Sequence, residues 1–333
     1  MIDLRVGDTV EVKSCKEILA TLDPRGTLES LPFMAEMLKY CGQVYKVYKR
    51  ADKTGQYITS PRYSSRRMFR TVHLEGLRCD GEFHAGCDAL CLLYWKEAWL
   101  KKVDIKACDL HSNKEKVVIE NFGSATSDKI GCTQDTLFFS TKIQTNVLNP
   151  VKEKYFCQVT EVINASSELK RYDMRQYYRD LRYGNISFKD FFKWTPLEIL
   201  NYTSQRILKK RIYPNIKNKF ALQGKTPAGT LDLKVGDNVK IKSLGDILRT
   251  LDFNERNRGL RFTKELVPYC GKTSKVIKIV KNIVNEVNGE MIHFSNKCII
   301  LENVICTGEV SDKRLFCPKS CYPYWREVWL EKI

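Results

Sequence analysis

Histidine is scarce in this chain, four among 333 residues, so acid–base chemistry has few candidates. The His-Glu-x-x-His pattern of zinc hydrolases is missing, as is the Gly-x-Gly-x-x-Gly fingerprint of dinucleotide sites. Two stretches, "QGKTP" and "CGKTS", end like a phosphate-binding loop, which needs a glycine five residues before its Gly-Lys. Lys219 and Leu266 stand there instead, and the loop is excluded. No apolar run approaches the ~20 residues that cross a bilayer, so no membrane partner is expected. The opening "MIDLRVGDTVEVKS" has no charged-then-apolar secretory layout, so the expected compartment is cytoplasmic.

Cysteine and positive charge, by contrast, are plentiful. Thirteen cysteines in a reducing compartment are poor material for a disulfide framework, and an odd count fits one badly. Spaced cysteines there are more often metal ligands or catalytic groups. The formal charge of +17 suggests a polyanionic partner such as nucleic acid.

The chain repeats itself. "DLRVGDTVEVKSCKEILATLD" at 3–23 returns as "DLKVGDNVKIKSLGDILRTLD" at 232–252, and the register holds through "KYCG" and "PYCG". The copies rejoin at Cys-x3-Cys-x3-Trp-x3-Trp: Cys87, Cys91, Trp95 and Trp99 match Cys317, Cys321, Trp325 and Trp329. Three segments follow: repeat A (1–103), a mixed middle segment and basic linker (104–231), and repeat B (232–333).

Within each copy, "DTVEV" and "DNVKI" alternate as half-buried strands do. Ser14 with Glu17, and Ser243 with Asp246, form capping-box patterns that open short helices. "LPFMAEMLKYCG" predicts a second helix with Pro32 in its first turn and Gly42 past its end. "QVYKVYKR", "TVHLEGLRC", "SKVIKIVK" and "CIILENVIC" read as strands. Trp95 and Trp99, like Trp325 and Trp329, stand four apart and predict one face of a closing helix, packed as core; in copy B that helix starts at Pro323.

Val-Gly-Asp-x-Val in a first strand, followed by short antiparallel strands, resembles the SH3-like barrels that include KOW domains. The resemblance implies an α+β fold of two SH3-like small barrels with inserted short helices, flanking a mixed α/β segment. The doubled pattern with "LPFMAEMLKYCG" and "HLEGLRCDG" is also similar to a group of uncharacterised bacterial cysteine-rich proteins with an internal repeat; it implies no activity.

In the middle segment "VVIENF" and "TLFFSTKI" read as strands. Asp173 is placed to cap a helix through "MRQYYRDLRY", stopped by Gly184. Ser187 opens "FKDFFKW", which should end near Pro196. The acid-free stretch containing "QRILKKRIYPNIKNKF" leads into copy B as a linker.

Four cysteines recur in each copy, the number a tetrahedral thiolate site needs. Cys41, Cys79, Cys87 and Cys91 match Cys270, Cys306, Cys317 and Cys321. His84 competes with Cys41 as fourth ligand in copy A, and His293 or Cys298 could complete copy B. Buried, metal-free thiols would explain the same recurrence. Zinc is the expected metal because it closes small folds without redox chemistry; an iron–sulfur cluster is the rival. Cys15, Cys108, Cys132, Cys157 and Cys298 have no counterpart, and Cys157, in "YFCQVTE", is the one to watch. His84 beside Cys79 or Cys87 is also the sole local thiol–imidazole pair for a nucleophile.

Tyr45, Lys46, Tyr48, Lys49 and Arg50 on one hairpin, with Arg62, Arg66, Arg67 and Arg70 in the next loop, compose a basic, aromatic face of the kind that holds single strands. The expectation is a non-enzymatic, metal-stabilised binding module with RNA or single-stranded DNA as partner. The alternatives are an iron–sulfur or thiol-dependent accessory protein of a biosynthetic pathway, and a scaffold for a protein partner.

Overall fold

Val10 and Val12 turn one face of the strand Thr9–Val12 into the core, as the alternation requires. That strand lies between Val44–Arg50 and Leu100–Lys102, in the sheet order Trp95–Lys96, Thr71–Leu74, Val44–Arg50, Thr9–Val12, Leu100–Lys102. All pairings are antiparallel. The computed structural model describes residues 2–55, 65–103, 132–140, 142–143, 153–170, 173–214, 216, 221–310 and 314–333. Among these the chain is mixed α+β, mostly antiparallel sheet with few helices, and no helix is long and apolar enough to cross a membrane.

The second sheet runs Met291–Leu301, Thr273–Val284, Asn238–Ile241, Leu330–Lys332. Equivalent positions make equivalent contacts. Trp99 Nε1 donates to Thr21 Oγ1 (3.1 Å) and Trp329 Nε1 to Thr250 Oγ1 (2.9 Å). Glu97 accepts the amide of Leu4, and Glu327 that of Leu233. Val72 opposes Trp95 as Ile299 opposes Trp325. The capping box at Ser14 forms, with Ser14 N donating to Glu17 Oε2 (3.0 Å), and Ser243 Oγ accepts from Asp246 N (3.2 Å).

The tryptophan-bearing helices do not form. Trp95–Lys96 is strand, Glu97–Trp99 a 3-10 turn, and Leu100–Lys102 strand again. Glu327–Trp329 repeats that turn. A strand end followed by one tight turn also returns side chains four apart to one core, which a spacing argument cannot tell from a helix. Their role as core stands: all four indoles are fully buried, with Phe33 edge-on to Trp95 and Trp99 and Phe262 edge-on to Trp325 and Trp329.

Three other expectations change. "LPFMAEMLKYCG" divides into the strand Leu31–Pro32, paired with Thr27–Leu28, and a 3-10 helix Ala35–Tyr40. "TLFFSTKI" is mostly helix, Gln134–Ser140, started by Thr133 Oγ1 accepting from Thr136 N, before the short strand Lys142–Ile143. The helix opened by Ser187 runs through Pro196, from Phe188 to Ile207. Tertiary bonds outweigh the ~3 kcal/mol proline penalty there: Asn201 Oδ1 accepts from Ile212 N and Tyr213 N, and Ser204 Oγ donates to Lys210 O. The helix Arg175–Arg182 ends before Gly184 as expected, with Asp173 accepting from Arg175 N. "VVIENF" lies outside the described residues.

The middle segment is built onto repeat A. Ser167–Leu169 pairs with Ser65–Arg67, and Asp180 is buried against Lys53. The two repeats also dock on each other reciprocally. Asp88, inside the Cys87–Cys91 loop, accepts from Lys281 N (2.8 Å) and Asn282 N (3.2 Å) on the strand Thr273–Val284 of repeat B. Lys319, inside the Cys317–Cys321 loop, donates to Gly55 O (3.0 Å), which follows the strand Val44–Arg50 of repeat A. Each cysteine loop therefore sits on the other repeat.

Candidate metal centre

The cysteine loop is a backbone knuckle. Cys79 N donates to Cys91 O (2.9 Å), His84 N and Gly86 N both donate to Gly81 O (3.0 Å), and Cys87 N donates to His84 O (3.1 Å). Gly81 has φ +79°, and a Cβ there would overlap the Cys87 carbonyl oxygen. Repeat B builds the same loop: Cys306 N donates to Cys321 O (2.8 Å), and a Cβ on Gly308 would come within 2.5 Å of Cys317 N. Only glycine fits either position.

This knuckle, with the 3-10 helix Ala35–Tyr40 beside it, brings three donors together. Cys79 Sγ lies 3.2 Å from Glu36 Oε1 and 3.9 Å from His84 Nδ1, and His84 Nδ1 lies 3.8 Å from Glu36 Oε1. Among the described residues this is the one group of three such ligand atoms all within 4.8 Å of one another. Glu36 and His84 are 2% and 1% exposed, and Glu36 Oε2 and His84 Nε2 have no hydrogen-bond partner. The atoms that converge are Glu36 Oε1 and His84 Nδ1; the unpartnered Oε2 and Nε2 are the other atoms of the same two buried groups. Carboxylate, thiolate and imidazole are all zinc ligands, so the residues fit that metal. Glu36 was not among the sequence candidates. Its repeat-B equivalent is Glu265, and the pair at matching positions was the available signal.

The group opens into a cavity of about 560 Å³ shared by both repeats. Seven cysteines line it: Cys79, Cys87 and Cys91 from repeat A, Cys157 from the middle segment, and Cys306, Cys317 and Cys321 from repeat B. Glu36, His84 and Glu265 line it too. Burial pushes the thiols of Cys79, Cys87, Cys91 and Cys306 up, and that of Cys157 up to about 12. These thiols stay protonated near neutrality, so a metal ion would displace protons on binding them. Cys87 Sγ accepts the amide of Val284 (3.4 Å).

Cys41 and Cys270 do not join. Cys41 hydrogen-bonds Cys15, and Cys270 Sγ reaches only the Leu266 carbonyl (3.9 Å). They recur because the 3-10 turns they terminate recur. His293 is bonded to Asn282 (2.7 Å) at the surface, and Cys298 is buried beside Arg326 (3.3 Å), so neither completes repeat B. Cys87 and Cys91 face the cavity with Cys79 but, among the described residues, belong to no group of three donors within ligand distance. Cys108 lies outside the described residues.

The basic face is largely consumed by the fold. Arg50 is buried, bound to Asp52 (3.0 Å), Glu97 (2.6 Å) and the Leu4 carbonyl (2.7 Å), and is no surface residue. Arg66 holds Ile163 O and Ser166, and Arg67 reaches Asp52 (3.4 Å). Tyr48 meets Ser320, with Lys49 over its ring; Tyr45 donates to Gln43, and Arg70 lies over Phe69. Lys46 is exposed, and Arg62 lies outside the described residues. No family model, curated protein or solved structure matches this chain.

Proposed function

We propose that the chain is a non-enzymatic, metal-stabilised binding module in which Glu36, Cys79 and His84 hold zinc at one end of the shared cavity. One observation carries this: three donors of zinc-ligand type, Glu36 Oε1, Cys79 Sγ and His84 Nδ1, converge in the buried interior. We read the two sheets as SH3-like modules. Support comes from the strand order, with the last strand beside the first, and from the 3-10 turn before that last strand. The net charge of +17 supports a polyanion such as single-stranded RNA as partner, on a footprint that leaves out Arg50.

Elemental analysis of purified protein tests the metal. A colourless preparation holding zinc, with less metal in Cys79→Ser and His84→Ala, supports the reading. A second reading, an iron–sulfur centre, is favoured by the seven cysteines on one cavity. A brown, iron-containing preparation would decide for it and against zinc.

A further inference from the structure

Glu29 and Arg258 occupy the same place in the two repeats. Each stands at the tip of a two-stranded hairpin, in a left-handed conformation (φ 51° and 47°). In repeat A the Glu29 carboxylate neutralises Lys96, a buried cation that donates to Glu29 Oε2 (2.6 Å) and to Phe69 O (3.2 Å). Arg326 stands where Lys96 does and is also buried, 6% exposed. It donates to Asn296 O (2.6 Å), three residues before Ile299 as Phe69 is three before Val72. Its carboxylate partner, however, has been replaced by a second cation, Arg258. We propose that the pocket between Arg258 and Arg326 is a phosphate-binding site.

The pocket measures about 330 Å³ and is walled by the hairpin tip, the segment around Gly229 and the turn Glu327–Trp329. Gly229 packs so closely on that turn that a Cβ would fall 2.3 Å from Glu327 Cβ. The Arg326 guanidinium pins the walls together through the carbonyls of Asn257 (3.3 Å), Asn296, Lys297 (3.1 Å) and Arg258 (2.8 Å). Among the described residues no carboxylate pairs with it, so its buried charge has no opposite charge beside it.

Arg258 is anchored at one edge only. Its Nε donates to Thr226 O and its amide to Thr226 Oγ1 (2.8 Å each), which leaves both terminal nitrogens, among the described residues, open to a ligand. Such a fork matches two oxygens of a phosphate. Lys297 shares the wall, and the carboxylates there are engaged: Asp232 accepts from Lys297 Nζ and Glu327 Oε1 from Leu233 N (3.1 Å each). Three cations against two carboxylates leave the wall net positive. A phosphate of a small molecule and one of an RNA backbone share this chemistry; the RNA case rests on the polyanion reading above.

Calorimetric titration of the full chain at low salt, with inorganic phosphate and separately with a short oligouridylate, tests the site. The wild type should bind at least one of them. Arg258→Glu restores the pairing of repeat A on a backbone that already accepts glutamate at Glu29, so it should fold. Its affinity should drop at least about tenfold, the loss of a charge-assisted pair. Arg258→Lys should bind more weakly than the wild type, because one ammonium cannot meet two oxygens at once, and it carries the test should the glutamate variant fail to fold. Lys16→Glu, the same charge change at an exposed position of repeat A, should alter affinity far less. Binding as in the wild type by both Arg258 variants, or no binding of either probe by the wild type, would overturn the site. RNA binding that survives both substitutions would do so while leaving the polyanion reading intact. Phosphate binding lost with Arg258→Glu, and no RNA binding at all, would support the site and overturn that reading.

Discussion

Tyr48 and Ser320 meet through their hydroxyl oxygens at 3.1 Å although 272 positions separate them. At the matching positions of the opposite repeats stand Ile277 and Leu90, and these pack around one cluster of Val280, Cys298 and Ile300. Leu90 of repeat A is thereby seated on repeat B, as Ser320 of repeat B is seated on Tyr48 of repeat A.

Asp88 is the polar anchor of that interface. It accepts two backbone amides of repeat B and lies 3.1 Å from Lys278 Nζ. Asp88→Ala leaves those amides unsatisfied and should lower unfolding free energy by about 2–3 kcal/mol. Urea denaturation measures it, and a change below ~0.5 kcal/mol would show that the contact is incidental.

The knuckle glycines should rank by what their missing Cβ would strike. Gly81→Ala and Gly308→Ala push against the Cys87 and Cys317 backbones as well as adopting a left-handed φ. Gly86 also has positive φ, +74°, but nothing within 4 Å of its Cβ position. Gly86→Ala should therefore cost about 1–2 kcal/mol of backbone strain, and the other two clearly more. Thermal melts of the three variants check the order, and equal costs would contradict it.

Cys15 should be the most reactive thiol near neutrality. The Cys41 thiol donates to it and lowers its pKa to about 7, while burial holds the thiols of Cys79, Cys91 and Cys157 up. Alkylation at Cys15, followed by mass spectrometry, should rise with pH through a midpoint near 7 as the thiolate forms. Cys41→Ser should move that midpoint up. Faster labelling of Cys157 or Cys91 would refute the ranking.

His73 gives the fold an acid limit. It is fully buried, with Nδ1 donating to Leu93 O (2.9 Å), and burial lowers its pKa from 6.5 to about 4. The unfolded chain takes up the proton first, so this group's contribution is complete above pH 6.5 and lost as pH falls toward 4. The expected loss over that window is ~3 kcal/mol. A His73→Gln variant should show that much less acid sensitivity in denaturation measured at pH 7 and pH 4.5.

Local rules carried much of the fold to the page in advance. Ser14 with Glu17, the valines of "DTVEV" and the stop at Gly184 each depend on neighbours a few positions away, and each behaves as such neighbours dictate. Pro196 and the tryptophans went otherwise because long-range contacts decided them: Asn201 and Ser204 hold the helix, and the shared core seats the indoles. Within the site, recurrence pointed to Cys79, Cys87 and Cys91 but equally to Cys41, since a repeated fold repeats its packing as faithfully as its chemistry. Glu36 resembles any acidic residue of a short helix until its burial is known. Cys157 has no partner in sequence at all; only the folded chain carries it to the cavity.

The reciprocal seating of the two cysteine loops has a consequence for how the halves can diverge. Two separate but identical subunits joined this way would have to carry every substitution on both sides. Because one chain holds both halves, His84 can exist in the first with no histidine facing it in the second. Covalent linkage thus permits a lopsided centre inside an otherwise even frame.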